Sequence, residues 1–218
     1  WPAVAAAAAG GVLAGLLLGL ALGVVGQHEV DFAVHRVRLH VLEGTVDLMS
    51  GSLGPAVAPA ERRELALVYL SRLIFLSFLE TKGWLDADFG FLENGYARCM
   101  TEGGRYQRRV LEPLFFGTLN TRVRSRAQRA QRFGRIPFLN GGLFARSSLE
   151  KRVRRLAFSD EAFGNAYGSL LSRYRFSGRE GSTDWSDASI DPEILGKAFE
   201  ALMASSDRKG SGAFYTPQ

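Results

Sequence analysis

A single cysteine, Cys99, in 218 residues leaves no internal disulfide framework and fits a reducing compartment. Histidine is almost as scarce. His28, His35 and His40 are the only three, and none are spaced i+3 or i+4 like paired ligands on one helix, which argues against a metal site. Acidic residues are missing from residues 121–135, and charge of either sign is missing from residues 3–26. The rest is ordinary: 46% hydrophobic and 22% charged residues exclude a disordered chain. The length suits one substantial domain or two small ones with a real core. The chain opens on Trp1 rather than Met and reads as a fragment of a longer polypeptide.

The net charge of +5 conceals a strong asymmetry. From Thr101 to Phe158 there are 14 Lys/Arg against Glu102, Glu112 and Glu150, a net of +11, so the remainder carries −6. That polarity suggests an anionic partner, nucleic acid first. The uncharged run Ala3–Gly26 would be about 36 Å long as a helix, enough to cross a hydrocarbon core of about 30 Å. Gly11, Gly15, Gly19 and Gly23 repeat at i+4, a groove for close helix approach. A membrane helix and a buried helix of a soluble protein both fit this run. We take residues 1–50 as this apolar helix plus an amphipathic segment of ambiguous period, in which Val30, Val34, Val37, Val41 and Leu48 suit a helix and favour that reading while Val37, Leu39 and Val41 alternate like a strand.

"GSLGPAVAP" (Gly51–Pro59) is the expected boundary before a helical domain over residues 60–207. Its central helix should be "ERRELALVYLSRLIFLSFLETKGWL". Leu65, Tyr69, Arg72, Leu73, Leu76 and Leu79 there exceed one stripe, and Lys82-Gly83 supplies the stop. A second helix is predicted over Arg109–Leu119, with Pro113 tolerated only in its first turn. A third is capped by Ser159 and carries Phe163, Tyr167, Leu170, Leu171 and Tyr174. A fourth opens on Asp191-Pro192 and buries Ile194, Leu195, Ala198, Phe199, Leu202 and Met203. The expected fold is mainly α: a helical bundle with a Gly-Gly turn and irregular loops.

Between the second and third helices lies a basic loop, 121–135. Its Arg122, Arg124, Arg126, Arg129, Arg132 and Arg135 are candidate contacts to a nucleic-acid backbone, since guanidinium forks match phosphate oxygens. A solvated loop is the plainer alternative. "IPFLNGGLF" (Ile136–Phe144) follows, and Asn140-Gly141-Gly142 between apolar flanks predicts a tight, hairpin-like corner packed on the bundle.

Three ordered stretches, "YLSRLIFLSFLETKGWL", "IPFLNGGLF" and "DPEILGKAFEALMASSDRKGSGAFYTP", together resemble the region ahead of the catalytic domain in N6-adenine-specific DNA methyltransferases. The likeness is to the large single-chain restriction-methylase and phage-defence type, from about Glu61 onward. It implies that residues 208–218 begin the methyltransferase domain. Phe214 and Tyr215 would then wall the S-adenosylmethionine cleft, Thr216 would face the methionine end of the cofactor, and Pro217 would fix the turn. It also implies double-stranded DNA and a downstream α/β methyltransferase domain as partners, and a cytoplasmic setting.

The glycine-rich cofactor loop and the (Asn/Asp)-Pro-Pro-(Tyr/Phe) loop of that class are both missing, so no catalytic residue is assigned and the fragment alone is expected to be inactive. Two other readings stay open. One is a membrane-associated helical interaction module, resting on residues 3–26. The other is a basic helical nucleic-acid binder without an enzymatic partner domain.

Overall fold

The computed structural model describes residues 27–139, 142–153 and 156–171, with side chains from His40 onward. The apolar run 3–26, the Asn140-Gly141 step, the helix expected from Asp191 and the terminal residues 208–218 lie outside the described residues. The chain divides into two units, Trp1–Gly44 and Thr45–Gln218. The division falls within α1 (Gln27–Ser52), so the ambiguous period of that stretch resolves as helix. No helix among the described residues is long and apolar enough to cross a membrane.

The described part of the second unit is built from helices and loops without a strand, the mainly α architecture expected. At its centre is α2 (Pro59–Thr81), which opens on a proline needing no N–H partner and carries Glu61 in its positive first turn. Leu65, Ala66, Leu67, Tyr69, Leu70, Leu73, Ile74, Leu76 and Leu79 are all buried, more than one face can hold. Each fully buried large aliphatic contributes roughly 1.5–3 kcal/mol of transfer free energy, which keeps this helix central. The stop is a Schellman motif: the Gly83 N–H donates to the Glu80 carbonyl and the Trp84 N–H to the Leu79 carbonyl. Gly83 takes φ +70°, as the predicted stop requires.

Helix α3 (Phe91–Thr101) was not among the sequence expectations, although Leu92, Gly95 and Cys99 are buried at helical spacing. Its start is fixed from outside, by the Glu80 carboxylate accepting the Leu92 N–H at 2.8 Å. Helix α4 corrects the expectation for Pro113. It is a continuous run made of a π-helical turn (Gln107–Leu111), a short α segment (Glu112–Leu114) and a second π turn (Phe115–Leu119). Pro113 therefore sits in mid-helix, not in the first turn. In a π turn each N–H reaches five residues back, as Glu112 does to Gln107, and the wider turn gives the proline ring room. Pro113 has no N–H to offer the Arg109 carbonyl four residues earlier, and that carbonyl accepts from the Arg132 guanidinium instead.

Short 3₁₀ turns follow at Val123–Ser125, Gln128–Phe133 and Gly142–Phe144, then α5 (Ser148–Arg152). Helix α6 (Asp160–Ala166) is capped by Ser159, whose hydroxyl accepts the Ala162 N–H as expected, and runs on as a π turn (Tyr167–Leu171). The first residue of α6 also seats the start of α4, because the Asp160 carboxylate accepts the Arg105 and Tyr106 N–H groups, each at 2.7 Å. The described residues of the Ile136–Phe144 corner do not form the strands of a β-hairpin. Ile136 and Phe144 are buried in the bundle instead.

Tyr69, Phe115, Phe158 and Phe163 form one aromatic core, with Tyr69 and Phe158 ring centroids 4.9 Å apart. Beside it the Tyr106 and Tyr167 hydroxyls meet at 2.7 Å, and burial pushes both phenols up from their ordinary range. Among the described residues every buried polar side-chain atom has a partner.

The Pro113–Arg132 tie is testable by a double-mutant cycle. Arg132→Ala should cost about 1 kcal/mol by urea unfolding, and clearly less once Pro113→Ala restores an N–H at residue 113. Equal losses in both backgrounds would show that the arginine does not stand in for the missing donor.

Candidate functional site

The site begins with a charge inside the core. Arg72 lies on α2 among leucines and is almost fully buried. Its guanidinium donates to Glu150 Oε1 at 2.6 Å and Oε2 at 2.8 Å, to the Leu143 carbonyl at 2.7 Å and to the Ala145 carbonyl at 2.9 Å. The rings of Tyr69, Phe115 and Phe116 surround it, with centroids 5.3–5.4 Å away. Glu150, the third residue of α5, closes a capping box with Ser147: Ser147 Oγ accepts its N–H, and its carboxylate accepts the Ser147 N–H. Burial alone would raise the Glu150 carboxyl. The bonds from Arg72 and from the Ser147 N–H outweigh it and hold the carboxyl below its usual range. One buried ion pair and its two carbonyl bonds thus pin the Leu143–Ala145 segment and the start of α5 onto α2. Sequence reading placed Arg72 on the central helix without a role; an arginine in the middle of an apolar run was the available signal.

The pinned segment delivers Arg146, one residue past Ala145, to the surface. There its guanidinium lies 4.0 Å from the Phe116 ring centroid. Opposite it stands the basic loop, whose six arginines separate into two kinds. Arg126 donates to the carbonyls of Thr121, Ile136 and Pro137, clasping the two ends of the loop together. Arg132 ties the loop to α4 through the Arg109 carbonyl. Arg122, Arg124, Arg129 and Arg135 are exposed cations. Arg135 is held near Asp86 (3.9 Å), whose carboxylate accepts the Arg135 N–H at 2.9 Å. The neighbouring Gly134 has φ +72°, and a Cβ there would collide with the Asp86 carboxylate, so this approach requires glycine.

Between α4 and the loop lies an open cleft of about 530 Å³. Arg108, Arg109, Arg129, Arg132 and Arg146 line it, with Pro113, Phe116, Gly117 and Ala130 as apolar surface and Glu112 as its one acid. Arg109 also pairs with Glu102 at 2.6 Å, and Glu112 receives Gln107 at 3.3 Å and Arg146 at 3.4 Å. Such an arrangement can hold an anion but has no nucleophile or base positioned for chemistry. Among the described residues no group of His, Cys, Asp and Glu is arranged to hold a metal ion. The four candidate cofactor residues, Phe214, Tyr215, Thr216 and Pro217, lie outside the described residues.

Comparison with known proteins concerns this same region. Residues 60–163 match a domain of unknown function (DUF7814), a stretch that runs from the first turn of α2 into α6 and contains the whole cleft. The chain is also related to a protein of Methanocaldococcus jannaschii that bears the name of a type II restriction enzyme and methyltransferase. The two are 32% identical over 173 residues, covering 75% of this chain and 14% of that protein. The chain therefore corresponds to a small part of that relative's length. No solved structure matches.

Breaking the buried pair on one side should be severe. Arg72→Ala is expected to cost about 3–5 kcal/mol, whereas the apolar pair Arg72→Met with Glu150→Leu should recover most of the loss. Because the folded Glu150 carboxyl sits below its unfolded value of about 4.3, its contribution is full above that pH and fades as pH falls through the folded value. Urea midpoints measured between neutral and acid pH should show this loss in the wild type and lack that component in Glu150→Gln.

Proposed function

We propose that this chain is the helical region of a site-specific DNA methyltransferase that moves the methyl group of S-adenosylmethionine to adenine N6, in a restriction-modification or phage-defence system. The observation that carries the reading is the relationship, over 75% of the chain, to a protein named as a restriction enzyme and methyltransferase. The ordered motifs from α2 to "GAFYTP" support it independently, because that terminal segment suits an apolar cofactor wall with a hydroxyl beside it. In this reading a downstream domain supplies the reacting groups, and Phe214, Tyr215, Thr216 and Pro217 form the near edge of the cofactor cleft. The helical unit lies against duplex DNA. Arg122, Arg124 and Arg135 meet phosphates, while Arg126 and Arg132 keep the loop in shape.

The direct test is methyl transfer from labelled S-adenosylmethionine to DNA by the full-length polypeptide, with the modified base identified after digestion. N6-methyladenine is the expected product. A full-length protein that binds neither the cofactor nor DNA would overturn the proposal, and a methylated cytosine would overturn the adenine assignment.

The loop has a separate signature. Arg122→Ala with Arg124→Ala should weaken DNA binding on all sequences alike and reduce the slope of log K against log salt by roughly 2, about 0.9 for each lost phosphate contact. An unchanged slope would leave the loop solvated and without a share in binding.

A further inference from the structure

We propose that the cleft between α4 and the basic loop is a binding site for the phosphate of a nucleotide, distinct from the outward arginines assigned to duplex DNA. None of Arg122, Arg124, Arg126 or Arg135 lines it. Its volume of about 530 Å³ lies within the range of small-ligand sites. A double helix is too large to enter such a space, but a mononucleotide or the end of a single strand fits.

Charge makes the case for an anion. Five arginines share the cleft with one carboxylate, and that carboxylate already serves Gln107 and Arg146. Three of the arginines have protein work as well. Arg109 pairs with Glu102, Arg132 caps the Arg109 carbonyl, and Arg146 rests on Phe116 and reaches Glu112. Arg108 and Arg129 differ. Both are exposed, both line the cleft, and neither guanidinium makes a hydrogen bond or ion pair with a described residue.

The two come from opposite walls, Arg108 from the first π turn of α4 and Arg129 from the 3₁₀ turn of the loop. The walls are joined by the Arg132 tie, so the two free forks are brought to one space rather than left to wander. Concentrating like charge on a tethered loop and a helix is unfavourable without a counter-charge. A phosphate, with several acceptor oxygens spread around a tetrahedral centre, can take bonds from forks on both walls at once. The apolar surface of Pro113, Phe116 and Gly117 then offers a place for the sugar or base attached to that phosphate.

The experiment is a calorimetric titration of the full chain at low salt with inorganic phosphate, adenosine, AMP, ATP and a short 5′-phosphorylated single-stranded oligonucleotide. At least one phosphate-bearing nucleotide probe should bind saturably, and adenosine should not. Arg108→Ala with Arg129→Ala should weaken that binding by at least about tenfold, the loss expected when two charge-assisted bonds disappear. Arg122→Ala with Arg124→Ala should leave it unchanged. Binding of AMP or ATP would identify a free nucleotide as the source of the phosphate, and binding of the oligonucleotide alone would identify a strand end. Both substituted pairs are exposed, and circular dichroism checks that each variant folds. Failure of every phosphate probe to saturate at millimolar concentration would overturn the site, as would equal affinity in the Arg108/Arg129 variant. Either result would leave the methyltransferase proposal standing, since that one is judged by product formation.

Discussion

A guanidinium taken out of water must have its hydrogen bonds returned to it, and the folded part of this chain is organised around that demand at Arg72. The residue is carried on α2 among buried leucines, so it cannot reach solvent without dismantling the core. Its partners therefore come to it: a carboxylate from α5 and the carbonyls of Leu143 and Ala145. A buried pair of this kind contributes little net stability over a well-packed apolar pair. What it contributes here is position. An irregular segment 71 to 73 residues away in sequence is held in one place, and the same bonds leave Arg146 on Phe116 at the edge of the cleft.

Arginine serves three physical ends in one small unit. Arg72 is a buried hub. Arg126 and Arg132 are backbone ties, closing a loop that has little regular structure and replacing the donor that Pro113 lacks. Arg108, Arg122, Arg124 and Arg129 remain exposed cations. The basic excess between Thr101 and Phe158 is therefore not a uniform positive surface. Part of it holds the scaffold together, and only the remainder is offered to a partner.

The sequence showed the helices best where ordinary rules act locally. Pro59 and Gly83 bound α2, and Ser159 caps α6, because capping and termination depend on a few adjacent groups. It showed them poorly where distant groups intervene. Helix α3 begins on a carboxylate from α2, and Pro113 is accommodated by π turns and by an arginine 19 positions later. No 3.6-residue template contains that information. The basic loop was legible as composition, but which arginines were free was not, since Arg126 and Arg132 look like their neighbours until the carbonyls they bind are known. Arg72 was visible and uninterpreted for the same reason: its partner is 78 residues away.

The capping box at Ser147–Glu150 has a further consequence. Glu150 serves two ends, closing the first turn of α5 and neutralising Arg72. One side chain thus couples a local cap to a long-range contact, so a change at residue 150 reaches the start of α5 and the centre of α2 together.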